Sequence, residues 1–143
     1  MSKRYAVERT IEASPERIWS LLTDPSTYPQ WNPAVVSIAG PIEVGGTVRL
    51  VSVVNPKRTF TLTVTEMDAP HRMVWADGMP LGLFRGVRTY TLAPSGSGHT
   101  EFAMEEVFSG PLAPLITKAI PDMTESFAQF ADGLKRGSES GAP

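Results

Sequence analysis

Apolar and polar residues alternate along most of this chain, and a helical period replaces the alternation only near its two ends. Tyr5, Val7, Arg9 and Ile11 fall on one face of the first segment, with Ala6, Glu8, Thr10 and Glu12 on the other. That period of two predicts a strand. Ser14-Pro15-Glu16 then supplies an N-cap, a first-turn proline and an early acid, a strong helix start. Ile18, Trp19, Leu21 and Leu22 give this short helix its apolar side. Asp24-Pro25 repeats the signal and predicts a second, shorter helix running toward Tyr28, limited by Pro29 and Pro33.

From Val35 to Ser109 the period is again two. The predicted strands are Val35–Ala39, Thr47–Val54, Arg58–Met67, Arg72–Ala76, Leu83–Ala93 and Thr100–Ser109. Gly45-Gly46, Asn55-Pro56, Ala69-Pro70 and Ser95-Gly96-Ser97-Gly98 separate them with turn chemistry. Connections this short make hairpins, so the sheet is expected to be antiparallel. Phe60, Leu62 and Val64 face one way and Thr59, Thr61, Thr63 and Thr65 the other, which predicts one buried and one solvated side.

Near the C-terminus Ile116, Ile120, Met123, Phe127, Phe130 and Leu134 recur at spacings of three and four. They predict an amphipathic helix of about five turns. Pro121 lies inside it, but the apolar phase continues across, so the expectation is one kinked helix. Residues 1–136 read as a single domain, and Gly137 to Pro143 as a disordered tail of small polar residues.

Composition narrows the function classes. The chain has 143 residues, the size of one ordinary domain, with the 41% hydrophobic and 20% charged content of a globular protein. A net charge of −2 provides no steering toward nucleic acid or an anionic membrane, and none is expected as a partner. The absence of cysteine removes disulfides, thiolate nucleophiles and iron–sulfur sites, and fits a reducing compartment. The N-terminal stretch lacks the apolar run of a signal peptide, and no segment reaches the 18 or more apolar residues of a spanning helix. A cytoplasmic protein without membrane insertion is expected.

The element order is strand, two short helices, six strands and a long helix. One amphipathic helix covers a seven-stranded sheet only if the sheet curls around it. Such a pair leaves a space at the end where sheet and helix diverge. This α+β, helix-grip arrangement resembles the START-like (SRPBCC) superfamily, which includes pollen allergens and the polyketide cyclase/dehydrase family. Four stretches carry the likeness: Ile11-Glu12-Ala13-Ser14-Pro15-Glu16-Arg17-Ile18-Trp19, Tyr28-Pro29-Gln30-Trp31-Asn32-Pro33, the segment Val64 to Trp75, and Glu106-Val107-Phe108-Ser109-Gly110 with Pro111-Leu112. The resemblance implies a ligand cavity but no single function, since this scaffold serves carriers, sensors and cyclases.

Arg88 and Glu106 are the most informative pair. If Pro94 pairs with Thr100 across the last hairpin, Leu92 faces Phe102, Tyr90 faces Met104 and Arg88 faces Glu106, all on the side of Phe84 and Phe108. That side is apolar, hence concave. Burying both charges is expensive before they pair, so they either serve a ligand's polar end or form a structural ion pair. A slipped register would put both in solvent.

Trp31 and Trp75 either flank the cavity or pack the core. Met73, Met104 and Met123 suit an adaptable lining, as they suit any core. The expected ligand-binding set is Trp31, Phe60, Leu62, Trp75, Phe84, Arg88, Tyr90, Met104, Glu106, Phe108, Met123 and Phe127. Met79-Pro80-Leu81-Gly82-Leu83-Phe84 is apolar where a loop belongs, and reads as a lid or a partner contact. His71 and His99 sit at turns, and no metal site, cofactor fingerprint or serine–histidine pairing is expected.

Three functions follow in order. The first is a binder of a small hydrophobic or amphipathic molecule, a lipid carrier among them. The second is a cofactor-free cyclase or dehydratase using Glu106, Arg88 and Tyr90 as its acid, base or polarising groups. The third is a protein-interaction module, since some START-like relatives act on chaperones. Oligomeric state has no signature in the sequence.

Overall fold

A computed structural model describes residues 3–118 and 122–140. Seven strands form one antiparallel sheet: β1 (Lys3–Ile11), β2 (Val35–Ala39), β3 (Thr47–Ser52), β4 (Phe60–Asp68), β5 (Arg72–Gly78), β6 (Arg85–Pro94) and β7 (Thr100–Ser109). Their spatial order is β1-β7-β6-β5-β4-β3-β2. Strands β2 to β7 follow one another as hairpins, and β1 returns to pair with β7. Register shifts at Val35/Ser37 and Val64/Glu66 bend the sheet, which curls over the last helix.

Between β1 and β2 lie α1 (Pro15–Leu22), a 3₁₀ turn (Pro25–Thr27) and α2 (Tyr28–Trp31). The Ser14 hydroxyl accepts from the Arg17 amide at 3.1 Å, and Asp24 accepts from the Ser26 amide at 3.0 Å, so both cap signals operate. Pro29 does not limit the second helix. It lies in the first turn of α2, where its missing N–H leaves no hydrogen bond unmade.

Two helices follow the sheet: α3 (Ala113–Thr117) and α4 (Thr124–Glu139). The expected single kinked helix is therefore divided. α3 is capped at Lys118, and Met123 caps the start of α4 instead of lying within a helix. Pro121, where the kink is expected, and Ile120 lie outside the described residues. The helix also outlasts its expected end at Arg136. Gly137–Glu139 belong to α4, and the Gly137 carbonyl accepts from Arg17 Nη2 at 3.2 Å. The rest of the tail, residues 141–143, is outside the described set.

The apolar stripe of α4 turns Phe127, Phe130, Ala131 and Leu134 into the concave side. Arg9 Nε on β1 donates to Asp132 Oδ1 at 2.7 Å along its flank. Gly133 sets how closely α4 approaches α2, because a Cβ there would collide with the Trp31 carbonyl oxygen.

Three strands start or stop short of expectation. β3 ends at Ser52 and β4 begins at Phe60, so residues 53–59 form the connecting loop. β6 begins at Arg85, and the apolar Met79–Phe84 stretch is a true loop holding a 3₁₀ turn at Pro80–Gly82. The strand with alternating threonines behaves as read: Leu62 and Val64 are buried, and Thr61, Thr63 and Thr65 are exposed.

Candidate functional site

Aromatic side chains fill one end of the space between sheet and helix. Phe130 of α4 has Tyr28, Trp31 and Tyr90 around it, with ring centroids at 6.1, 5.4 and 5.8 Å. Trp75 meets Tyr90 edge-on at 5.0 Å. Trp31 donates its indole N–H to Thr27 Oγ1 at 3.0 Å. Trp31, Trp75 and Tyr90 thus sit in this packed aromatic cluster, and none of the three lines the interior cavity beyond it. Met73 and Leu134 are buried alongside in the same core.

Toward the other end the packing opens into a cavity of about 70 Å³. Phe60, Leu62, Phe84, Arg88, Glu106, Phe108 and Met123 line it. Phe84 and Phe108 stack at 5.8 Å to form one side. A smaller adjoining space lies against Arg88, Met104, Met123 and Phe127, so the two lobes share Arg88 and Met123.

The wall also holds Leu50, Ser52, Val54, Asn55, Arg58, Asp77, Gly86 and Ile116. Leu50 and Ser52 were legible in principle, since they continue the inward face of Val48 on β3. Asn55 and Arg58 sit in the β3–β4 loop; Arg58 continues the alternation of Phe60 and Leu62, and Asn55 carries only a turn signal. Gly86 matters by lacking a side chain: a Cβ there would come within 3.1 Å of the Phe108 ring. Its absence keeps the space over Phe108 clear.

Arg88 and Glu106 face each other in register on β6 and β7, and Arg88 Nη2 donates to Glu106 Oε1 at 2.9 Å. Only 7% and 6% of the two side chains is exposed. They belong to one row across the sheet, in which Trp75 pairs with Arg88 and Tyr5 with Glu106. The Arg88 guanidinium also lies 5.2 Å from the centroid of the Phe127 ring, which gives the cation a second favourable contact.

Burial works against the Arg88 charge, but the neighbouring Glu106 carboxylate and Tyr90 outweigh it and hold the guanidinium above its ordinary range. Burial pushes the Tyr90 hydroxyl up to about 12, against the pull of Arg88 in the other direction. Arg88 acts on that hydroxyl both as a charge and as a hydrogen-bond neighbour, although the geometry between them falls short of a well-formed hydrogen bond. Arg88 Nε and Trp75 Nε1 are likewise buried without a partner among the described residues. The ion pair occupies one of five guanidinium N–H bonds, so donor capacity remains at the wall.

The histidines stand apart from this site. His71 Nδ1 is 3.4 Å from the Leu92 carbonyl, and His99 Nε2 is 3.5 Å from Glu12. Among the described residues no three histidine or carboxylate side chains gather as a metal centre requires. No helix among them is long and apolar enough to cross a membrane. Met79, Leu81 and Leu83 in the β5–β6 loop are exposed, Leu81 almost fully at 96%. The Leu83 carbonyl accepts from the Leu112 amide at 2.9 Å, which ties this loop to the approach to α3.

Solved structures share this architecture at low sequence identity. Norcoclaurine synthase from Thalictrum flavum, in complex with dopamine and hydroxybenzaldehyde, is 18% identical with a TM-score of 0.71, covering 100% of this chain and 90% of that one. Protein MLL2253 from Mesorhizobium loti is 22% identical with a TM-score of 0.75, covering 99% of this chain and 100% of its own. Hypothetical protein jhp0584 from Helicobacter pylori is 14% identical with a TM-score of 0.77, covering 96% and 88%. At such identities the likeness shows the fold alone. No curated protein matches the chain. A family description does match, over residues 3–139: the chain belongs to the polyketide cyclase / dehydrase and lipid transport family.

Proposed function

We propose that this protein holds a small hydrophobic or amphipathic molecule in the cavity between its sheet and its C-terminal helices. The observation that carries this reading is an apolar cavity with a buried ion pair in its wall. Apolar lining supplies affinity, and a few fixed polar groups orient what enters. The family description, which names lipid transport, supports the same reading. So does the fold, which in norcoclaurine synthase is seen with dopamine and hydroxybenzaldehyde.

A cavity of about 70 Å³ is small. Drug-sized ligands occupy pockets of roughly 300–1,000 Å³. The ligand is therefore small, or the wall yields to it. Met123, with its three rotatable bonds, is the side chain best suited to yield. Cofactor-free cyclase or dehydratase chemistry is the second reading, favoured by a single observation: Glu106 places a carboxylate on the wall of an otherwise apolar space. We also take the protein to work in the cytoplasm, where its cysteine-free composition suits a reducing environment.

Native mass spectrometry of the purified protein, followed by analysis of an organic extract, tests the main reading. A reproducible bound mass is expected, and its conversion on incubation would move the protein to the second reading. An empty protein that also fails to take up any apolar probe would overturn the ligand-holding reading.

A further inference from the structure

The charges around the cavity cancel. Arg58, Arg88, Asp77 and Glu106 line it, two cations against two anions. At the deep wall the balance is local, because Arg88 and Glu106 already neutralise each other at 2.9 Å. A ligand reaching them meets a pair with no spare charge. A carboxylate head would add a second anion beside Glu106, and an ammonium head a second cation beside Arg88. Either would be an uncompensated charge in an apolar space.

The pair does retain hydrogen-bonding capacity. The ion pair takes one of the five Arg88 N–H bonds, through Nη2. A carboxylate offers about four lone-pair sites, and the pair uses one Glu106 oxygen. Arg88 and Glu106 both line the cavity, so its wall presents guanidinium N–H donors and a carboxylate acceptor side by side. A hydroxyl is the smallest uncharged group that accepts from the first and donates to the second.

Resting on the ligand-holding reading above, we propose that the site selects an uncharged hydroxyl-bearing apolar molecule, an alcohol or phenol, over carboxylates and amines of the same shape. The hydroxyl oxygen accepts from a guanidinium N–H of Arg88 that the ion pair leaves free, and its hydrogen is donated to Glu106. The apolar body lies along Phe84 and Phe108.

Calorimetric titration with naphthol, naphthoate, naphthylmethylammonium and naphthalene at neutral pH tests this directly. Naphthol is expected to bind at least about tenfold more tightly than either charged ligand, and more tightly than naphthalene. Glu106→Gln keeps an acceptor for Arg88 but leaves its charge unbalanced, so that variant should favour naphthoate over naphthol. Naphthoate binding the unaltered protein as tightly as naphthol would overturn the proposal, as would naphthalene doing so. Binding of none of the four would overturn this inference, and only together with an empty native mass spectrum would it overturn the ligand-holding reading as well. The ranking on the unaltered protein decides the matter even if the variant does not fold.

Discussion

Arg88 and Glu106 are held together by strand register: adjacent strands place them directly opposite one another, 2.9 Å apart, on the buried side of the sheet. Neither charge can escape to water without the sheet being remade. Removing one partner leaves the other buried and uncompensated. Arg88→Met should therefore destabilise the protein by about 3–5 kcal/mol. Adding Glu106→Leu to that variant should restore most of the loss, because two apolar groups leave no orphan. Denaturant unfolding of both variants measures this, and equal midpoints for Arg88→Met and the parent would show that the pair contributes nothing.

Gly86 keeps the cavity open over Phe108. A methyl group there lands 3.1 Å from the ring, so the ring must move into the space a ligand would use. Gly86→Ala should leave stability within about 1 kcal/mol, since alanine loses less entropy than glycine in a strand. It should also weaken uptake of a fluorescent apolar probe severalfold. Unchanged probe affinity would place the ligand elsewhere.

At Gly133 the neighbour is backbone, which cannot turn aside. Gly133→Ala drives a Cβ into the Trp31 carbonyl oxygen and should part α4 from α2. A loss of about 3 kcal/mol is expected, at the upper end for overpacking. Loss of tryptophan emission character together with a lower Tm would report it.

Stability should fall at alkaline pH. Burial raises the Tyr90 hydroxyl from 10.0 to about 12. Between those values the unfolded chain has released a proton that the folded chain still holds, so rising pH favours unfolding. The slope from this one group is at most about 1.4 kcal/mol per pH unit, and below about pH 10 it vanishes. Tyr28, raised by burial and by Tyr90, adds to the same trend. Tyr90→Phe should flatten the decline in Tm across this window without lowering Tm at neutral pH, because the hydroxyl it removes has no partner among the described residues.

Leu81 has φ +60° while almost fully exposed. A left-handed conformation costs an L-residue about 1–2 kcal/mol, a penalty glycine escapes. Leu81→Gly should raise stability by up to about 1 kcal/mol, less the extra chain entropy of the unfolded glycine. A lower Tm would mean that the leucine makes a stabilising contact despite its exposure.

Local pattern was enough for much of this protein. The alternation of Phe60, Leu62 and Val64 with threonine, the Ser14 and Asp24 caps, and the turn residues after Pro94 are short-range signals, and strand and cap formation depend on neighbours a few residues away. Hairpin register followed from one turn, so the opposition of Arg88 and Glu106 was legible before any fold was known. What the pattern left open depends on which apolar groups meet across the core. An inward tryptophan looks the same whether it faces a cavity or another ring, and Phe130 decided that Trp31, Trp75 and Tyr90 fill one end. The division of the last helix into α3 and α4 was hidden because the apolar period runs on through Met123. Gly86, Arg58 and Asp77 share the alternation of Phe84, Phe60 and Trp75, but whether they border open space or packed core depends on the curvature of the sheet, which sums contributions from seven strands and is written at no single one of them.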